Sequence, residues 1–362
     1  MRHRRPSLLA ALGPTLRAAR LVPALAVLLA ACGSAPLVES PAAAVPAALV
    51  WPKPPAPARI RFVRSVAAPA DWGIERSALG RLVDSLTGQT GLHFVRPTGV
   101  AERAGVLYVA DPGARALFIL DRERSSALRI ERVGQDGLVS PVALALAPDA
   151  QVYLADSVLK QVLLIDREGR LVSRIADARL QRPAGIAFDA VRSRLYVADS
   201  AAHRVFVFGS DGRLLRTLGR NGSADGEFNF PTHLALGREG ELLVTDAMNF
   251  RVQAFDADGN FRWKLGKVGD GSGDFAAPKG VAQDRHGQVY VVDALFDAVQ
   301  VLRSDGRLLL GFGQRGSEPG RFWLPGGLFM DGDSSRFYVA DSYNQRIQVF
   351  DSVSAAGGGA EP

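Results

Sequence analysis

Tyr196-Val-Ala-Asp-Ser-Ala-Ala-His-Arg-Val-Phe-Val-Phe208 is two short alternating apolar runs joined by a polar turn, and the same frame returns at Tyr338-Val-Ala-Asp-Ser-Tyr-Asn-Gln-Arg-Ile-Gln-Val-Phe350. Alternation with period two, rich in aromatic and β-branched residues, is the signature of paired strands. Outward from these two stretches the pattern recurs through the chain. The strand-ending aspartates are Asp111, Asp156, Asp199, Asp246, Asp293 and Asp341, spaced by 45, 43, 47, 47 and 48 residues. Each follows a proline by 14 to 16 residues, at Pro97, Pro141, Pro183, Pro231, Pro278 and Pro325. A period of forty to fifty residues built only of short strands and turns predicts propeller blades of four strands each.

Within the third copy the expected strands are Gly185-Phe188 (inner), Arg194-Ala198, Arg204-Phe208 and Arg213-Leu218 (outer). Asp211-Gly212, Asp258-Gly259 and Asp305-Gly306 mark the hairpins before the outer strands, where glycine supplies positive φ without steric cost. Ala101, Ala145, Ala187, Ala235 and Ala282, with Phe329 in the sixth copy, fall at one inner-strand position, and their small size predicts close approach at the axis. The sixth copy supplies Leu328-Met330, Arg336-Ala340 and Arg346-Phe350 but no outer strand. Arg59-Val66 alternates as a strand and has no repeat of its own, so it is expected to complete that last blade and remove an open sheet edge. The expected fold class is therefore an all-β, six-bladed propeller over 59-351, with repeats from 97 to 351. Ile74, Leu79, Leu82, Val83 and Leu86 lie at helical spacing and predict one short amphipathic helix over 72-88.

The N-terminal segment has a different character. Residues 1-31 carry five arginines and no acid, ending in the apolar run Leu21-Ala31 before the chain's single cysteine. That run is too short for a permanent span and reads as an export signal. Leu29-Ala30-Ala31-Cys32 resembles the bacterial lipobox, which implies covalent lipid on Cys32 and membrane anchoring. Gly33, where an aspartate would imply inner-membrane retention, points to an outer-membrane lipoprotein of the cell envelope facing the periplasm. Residues 32-58, with seven prolines and eight alanines after the cysteine, read as a tether, and 352-362 as a disordered tail.

The full chain is 362 residues with a formal net charge of +6, but removing the five leader arginines leaves 38 basic residues against 37 acidic ones. No basic footprint remains, so no nucleic-acid partner is expected. A lone cysteine excludes an internal disulfide and any multi-cysteine metal cluster. A monomer is expected.

The Tyr-Val-x-Asp and Arg-Val-x-x-Phe strands, with connectors such as Gly222-Ser-Ala-Asp-Gly-Glu-Phe-Asn-Phe-Pro231 and Gly316-Ser-Glu-Pro-Gly-Arg-Phe-Trp-Leu-Pro325, resemble the NHL repeat. The repeat arginine stands at Arg204, Arg251 and Arg346 and is replaced by Ala116, Gln161 and Ala298 elsewhere. The resemblance implies that connectors and post-aspartate turns share one rim, and that this rim binds. Candidate rim residues, chosen where the copies differ, are Arg115, Lys160, His203, His233, Asn249, Phe250, Lys279, Asp297, Tyr343 and Asn344. The six aspartates read as structural, accepting backbone N–H groups. Phe228, Phe230, Phe275, Phe322 and Trp323 read as wedges between blades.

Two functions follow from this reading. The first is a non-enzymatic membrane-anchored scaffold binding an envelope protein, peptide or glycan, with no cofactor beyond the lipid. The alternative is a metal-dependent propeller enzyme, lyase or lactonase-like. The related peptidyl-amidoglycolate lyase pattern carries a histidine directly after the inner-strand proline, where this chain has Thr98, Val142, Ala184, Thr232, Lys279 and Gly326. Zinc chemistry is therefore not expected to transfer, and neither catalytic nor metal-binding residues are assigned.

Overall fold

A computed structural model describes residues 48–74, 92–330 and 335–353. The lipobox Cys32, the leader, most of the segment read as a helix (75–88) and the tail beyond Val353 lie outside the described residues.

Six antiparallel sheets form the ring. The first blade runs Gly99–Arg103, Val106–Asp111, Ala116–Asp121 and Ser126–Ile130 from axis to periphery. The next four repeat this order, beginning at the inner strands Pro141–Leu146, Pro183–Asp189, Pro231–Leu236 and Pro278–Gln283. In the sixth, Leu328–Met330, Arg336–Asp341 and Arg346–Ser352 are joined by Ile60–Val66, which pairs antiparallel from Ile60 opposite Ser352 to Val66 opposite Ile347. The two ends of the chain thus share one sheet.

Two boundaries differ from the sequence reading. The tether reaches only as far as the ring, because Val50–Trp51 adds a fifth strand outside Ile60–Val66. Trp51 packs at 5.3 Å from the Phe312 ring and 6.0 Å from Phe350, apolar area that a free linker would leave in water. The last strand also continues to Ser352, and the Val353 N–H bonds to the Arg59 carbonyl at 2.6 Å, so the tail starts later than expected. At the start of the segment read as a helix, Pro69–Trp72 is a 3-10 turn, with the Trp72 indole donating to the Gly105 carbonyl at 2.9 Å.

Middle strands such as Val106–Asp111 are buried at every position, because each blade is sandwiched between two others. Six apolar clusters fill the six blade interfaces, and Tyr108, Tyr153, Tyr196, Tyr290 and Tyr338 recur in them at one second-strand position. Burying such a side chain contributes roughly 1.5–3 kcal/mol, so the interfaces rather than the individual sheets carry the fold. The clusters also absorb Phe228, Phe275 and Phe322, whereas Phe230 and Trp323 stand 40% exposed and are not wedges.

The closest approach at the axis falls two residues before the alanines, at Gly99, Ala143, Gly185, His233, Gly280 and Gly327. A Cβ on Gly185 would lie 2.5 Å from the Thr232 carbonyl oxygen and 2.8 Å from the His233 Cα, both backbone atoms of the neighbouring inner strand. The alanines instead lie opposite the buried tyrosines, as Ala101 does opposite Tyr108. Gly185→Ala is therefore expected to destabilise by about 1–3 kcal/mol through overpacking, read as a lower denaturant midpoint with unchanged slope; an unchanged midpoint would refute the axial contact.

Candidate functional site

Each repeat aspartate is fully buried at the end of its second strand and holds the connector that leads into its own blade. Asp111 accepts from the Val95 and Arg96 N–H groups at 2.6 and 2.9 Å and from Ala114 N–H at 2.9 Å. Asp156, Asp199 and Asp293 repeat this with Val139 and Ser140, Gln181 and Arg182, and Ala276 and Ala277. Asp246 and Asp341 each accept one connector N–H, from Asn229 and Trp323, and add side-chain donors. Arg251 Nε reaches Asp246 at 2.8 Å and Arg346 Nε reaches Asp341 at 2.8 Å, joined by Asn249, Gln253, Asn344 and Gln348. Burial raises the Asp246 and Asp341 carboxyls above the usual range, against the pull of these donors.

This network reassigns several candidates. Asn249 and Asn344 donate to their own aspartates and to the Gly222 and Gly316 carbonyls, so they brace connectors. His203 Nδ1 accepts the Phe230 N–H at 3.2 Å, with the two rings 4.6 Å apart, and Asp297 Oδ1 accepts the Leu324 N–H at 2.6 Å. Both side chains therefore hold the next blade's connector. The four residues after each aspartate end in a left-handed residue, at Arg115, Lys160, His203, Phe250, Asp297 and Gln345, with φ between 51° and 57°. Differences in side chain at that position sit on one shared, strained turn. Gln253, Gln300 and Gln348 escaped the sequence reading, although a glutamine in a strand buried on both faces breaks the apolar pattern.

Three of the remaining candidates, His233, Lys279 and Tyr343, converge. A cavity of about 650 Å³ opens at the mouth of the central channel on this rim, lined by residues from all six blades. His233 and Lys279 face it from inner strands, and Tyr343, Met248 and Phe230 wall it. His233 occupies an axial position where four copies have glycine, and its Nδ1 lies 3.1 Å from Thr232 Oγ1. Burial, and secondarily the Lys279 charge, push its pKa down to about 3. The Lys279 ammonium is also pulled down by burial, with Asp293 opposing. Arg115 and Lys160 are outside the cavity lining, on the turns of blades one and two. Arg96 and Arg182, in the residue before the inner-strand proline, do line it and were not among the sequence candidates.

Around this mouth the turns and connectors are apolar at their tips. Val95, Val158, Phe230, Met248, Leu295, Trp323 and Tyr343 are 40–64% exposed, seven of the eleven large exposed apolar side chains among the described residues. Four of them, Val158, Met248, Leu295 and Tyr343, stand two residues after a repeat aspartate, and Trp323 and Tyr343 pack at 5.6 Å. Among the described residues no three His, Cys, Asp or Glu side chains are grouped to hold a metal. The cavity lining holds a single histidine, His233, and no cysteine, aspartate or glutamate, fewer than the three protein ligands a catalytic zinc takes.

A ring of six blades, five of them four-stranded and the sixth closed by Ile60–Val66 with Val50–Trp51 outside it, open at one apolar-rimmed mouth, defines a six-bladed β-propeller. Two of its repeats are NHL repeats: the profile of the NHL repeat matches residues 180–208 and 322–350, in the third and sixth blades. The chain is 36% identical to NHL repeat-containing protein 2 of Bos taurus over 41% of its own length, and it spans 28% of that protein. Among solved structures, a structural genomics protein of unknown function from Bacteroides thetaiotaomicron superposes with TM-score 0.57 at 18% identity, covering 71% of this chain and 70% of that one. Virginiamycin B lyase from Staphylococcus aureus superposes with TM-score 0.53 at 13% identity, covering 72% and 96%. At such identities these likenesses show the fold.

The depressed histidine carries a pH signature. An unfolded chain protonates His233 near 6.5 while the folded chain resists until about 3, so the unfolded state binds more protons in that window and stability falls as pH drops through it. The wild-type unfolding free energy is expected to fall more steeply than that of His233→Ala between pH 6.5 and 4.5, by up to about 1.4 kcal/mol per pH unit. Parallel slopes in calorimetric melts across that range would contradict an imidazole held neutral in the folded chain.

Proposed function

We propose that the chain is a non-enzymatic binding scaffold of the bacterial cell envelope, lipid-anchored through Cys32, whose connector-and-turn rim engages a protein or peptide segment. The observation that carries this reading is the division of labour at the rim. The polar groups that could do chemistry there, the six aspartates with His203, Asn249, Asn344 and Asp297, are engaged in holding connectors. Apart from a few cations, the side chains left facing outward are largely apolar and surround a cavity. An exposed apolar ring around a concave mouth is the anatomy of an interface more than of a reactive pocket, and apolar side chains suit a peptide partner better than a glycan. Fold similarity to a lyase adds no catalytic group, since a propeller fold by itself carries no particular chemistry.

The test is an in-cell crosslink and capture of the full-length chain beside Met248→Asp/Tyr343→Asp, which changes outward side chains and leaves the aspartate network intact. One envelope protein captured by the wild type and reduced at least tenfold with the variant is the expected result; identical captures with both would refute the rim. Cys32→Ala should move the folded chain from the membrane fraction to the soluble fraction on cell fractionation, and retention in the membrane would refute the anchor.

A further inference from the structure

The cavity at the channel mouth has a charge pattern that the apolar rim does not explain. Its lining includes three cationic side chains, Arg96, Arg182 and Lys279, and no aspartate or glutamate. The three come from the first, third and fifth blades, so they alternate around the sixfold ring. Arg96 and Arg182 take the place held in other copies by Ser140, Phe230, Ala277 and Leu324, and Lys279 stands two residues further on, in its inner strand.

The fold positions these cations. The N–H groups of Arg96 and Arg182 are bonded to the carboxylates of Asp111 and Asp199, and Asp293 holds Ala277, two residues before Lys279. Those carboxylates are fully buried and surrounded by N–H donors. None of the three cations takes part in an ion pair within 4.0 Å among the described residues. Lys279 is half-buried, whereas Arg96 and Arg182 are exposed at the cavity edge, and like charges facing one concavity favour an anion between them. Guanidinium groups on two sides of a cleft are suited to charge-assisted hydrogen bonds with a carboxylate. Phe230, Met248 and Tyr343 form the apolar wall beside them.

We propose that the channel mouth is a carboxylate pocket, taking an acidic side chain or a free C-terminus of a peptide whose neighbouring residues are apolar. This rests on the reading of the rim as a peptide-binding surface and adds the chemistry of its centre. The carboxylate sits among Arg96, Arg182 and Lys279, and the flanking apolar side chains lie on the ring of exposed apolar turns. His233, neutral at physiological pH, adds no charge to the pocket.

The test pans the full chain, purified in detergent, against two random dodecapeptide phage libraries, one displaying internal segments and the other free C-termini. Enrichment of acidic residues flanked by apolar ones in the first library assigns a side-chain carboxylate. Enrichment in the second without an internal acid preference assigns a C-terminal one. For the best synthetic peptide, Arg96→Gln/Arg182→Gln/Lys279→Gln is expected to weaken binding at least twentyfold, with a melting transition like that of the wild type. Replacing the peptide's acid by its amide should weaken wild-type binding similarly and add little on the triple variant. Lys279→Arg should retain most of the affinity. Enriched peptides that lack an acid preference but lose binding on Met248→Asp/Tyr343→Asp would overturn the carboxylate pocket and keep the rim. No enrichment from either library would overturn both.

Discussion

The structure depends on one recurring interaction: a buried strand-end carboxylate that gathers the backbone N–H groups of the connector running into its own blade. A buried carboxylate is costly unless donors surround it, and a buried connector is costly unless its N–H groups find acceptors. Each satisfies the other. In the first blade Asp111 takes N–H groups from Val95, Arg96 and Ala114, tying together connector and turn. Fourth and sixth blades have longer glycine-rich connectors, and there Arg251 and Arg346 add bonds to the carbonyls of those loops. The same carboxylates therefore build the rim and remove themselves from its chemistry.

That coupling explains why the fold was legible in the sequence and the site only partly so. Strand period, the spacing of the aspartates and the unpartnered Arg59-Val66 run are local patterns, and the observed blades follow them within a residue or two. Asn249 and Asn344 looked like variable rim residues because their partners, Gly222 and Gly316, lie 27 and 28 residues away. His203 and Asp297 differ chemically yet perform one task, each accepting an N–H 27 residues along the chain. Variation among copies was therefore an imperfect guide, since unlike side chains can serve the same contact.

Where that guide succeeded, the reason is also physical. His233 replaces a residue at the axial position where glycine or alanine otherwise stands, so its side chain has nowhere to go but the channel mouth. Lys279 follows its proline at the same end of the ring. Arg96 and Arg182 stand before their prolines in stretches that look like ordinary polar connectors, and only the curvature of the ring brings them to one cavity with Lys279.

The shared sheet of the sixth blade also imposes an order on biosynthesis. Arg61 meets Asp351 across 290 residues of chain. A polypeptide emerging N-terminus first carries the strand Ile60–Val66, paired on one side only with the short Val50–Trp51, until its long-range partner Arg346–Ser352 has been made. Pairings so distant in sequence form slowly, and an alternating strand waiting in solution is open to the wrong neighbour. Arg61 and Arg64, spaced along that strand, place charge on the waiting segment, the kind of residue that discourages edge-to-edge association before the ring is complete.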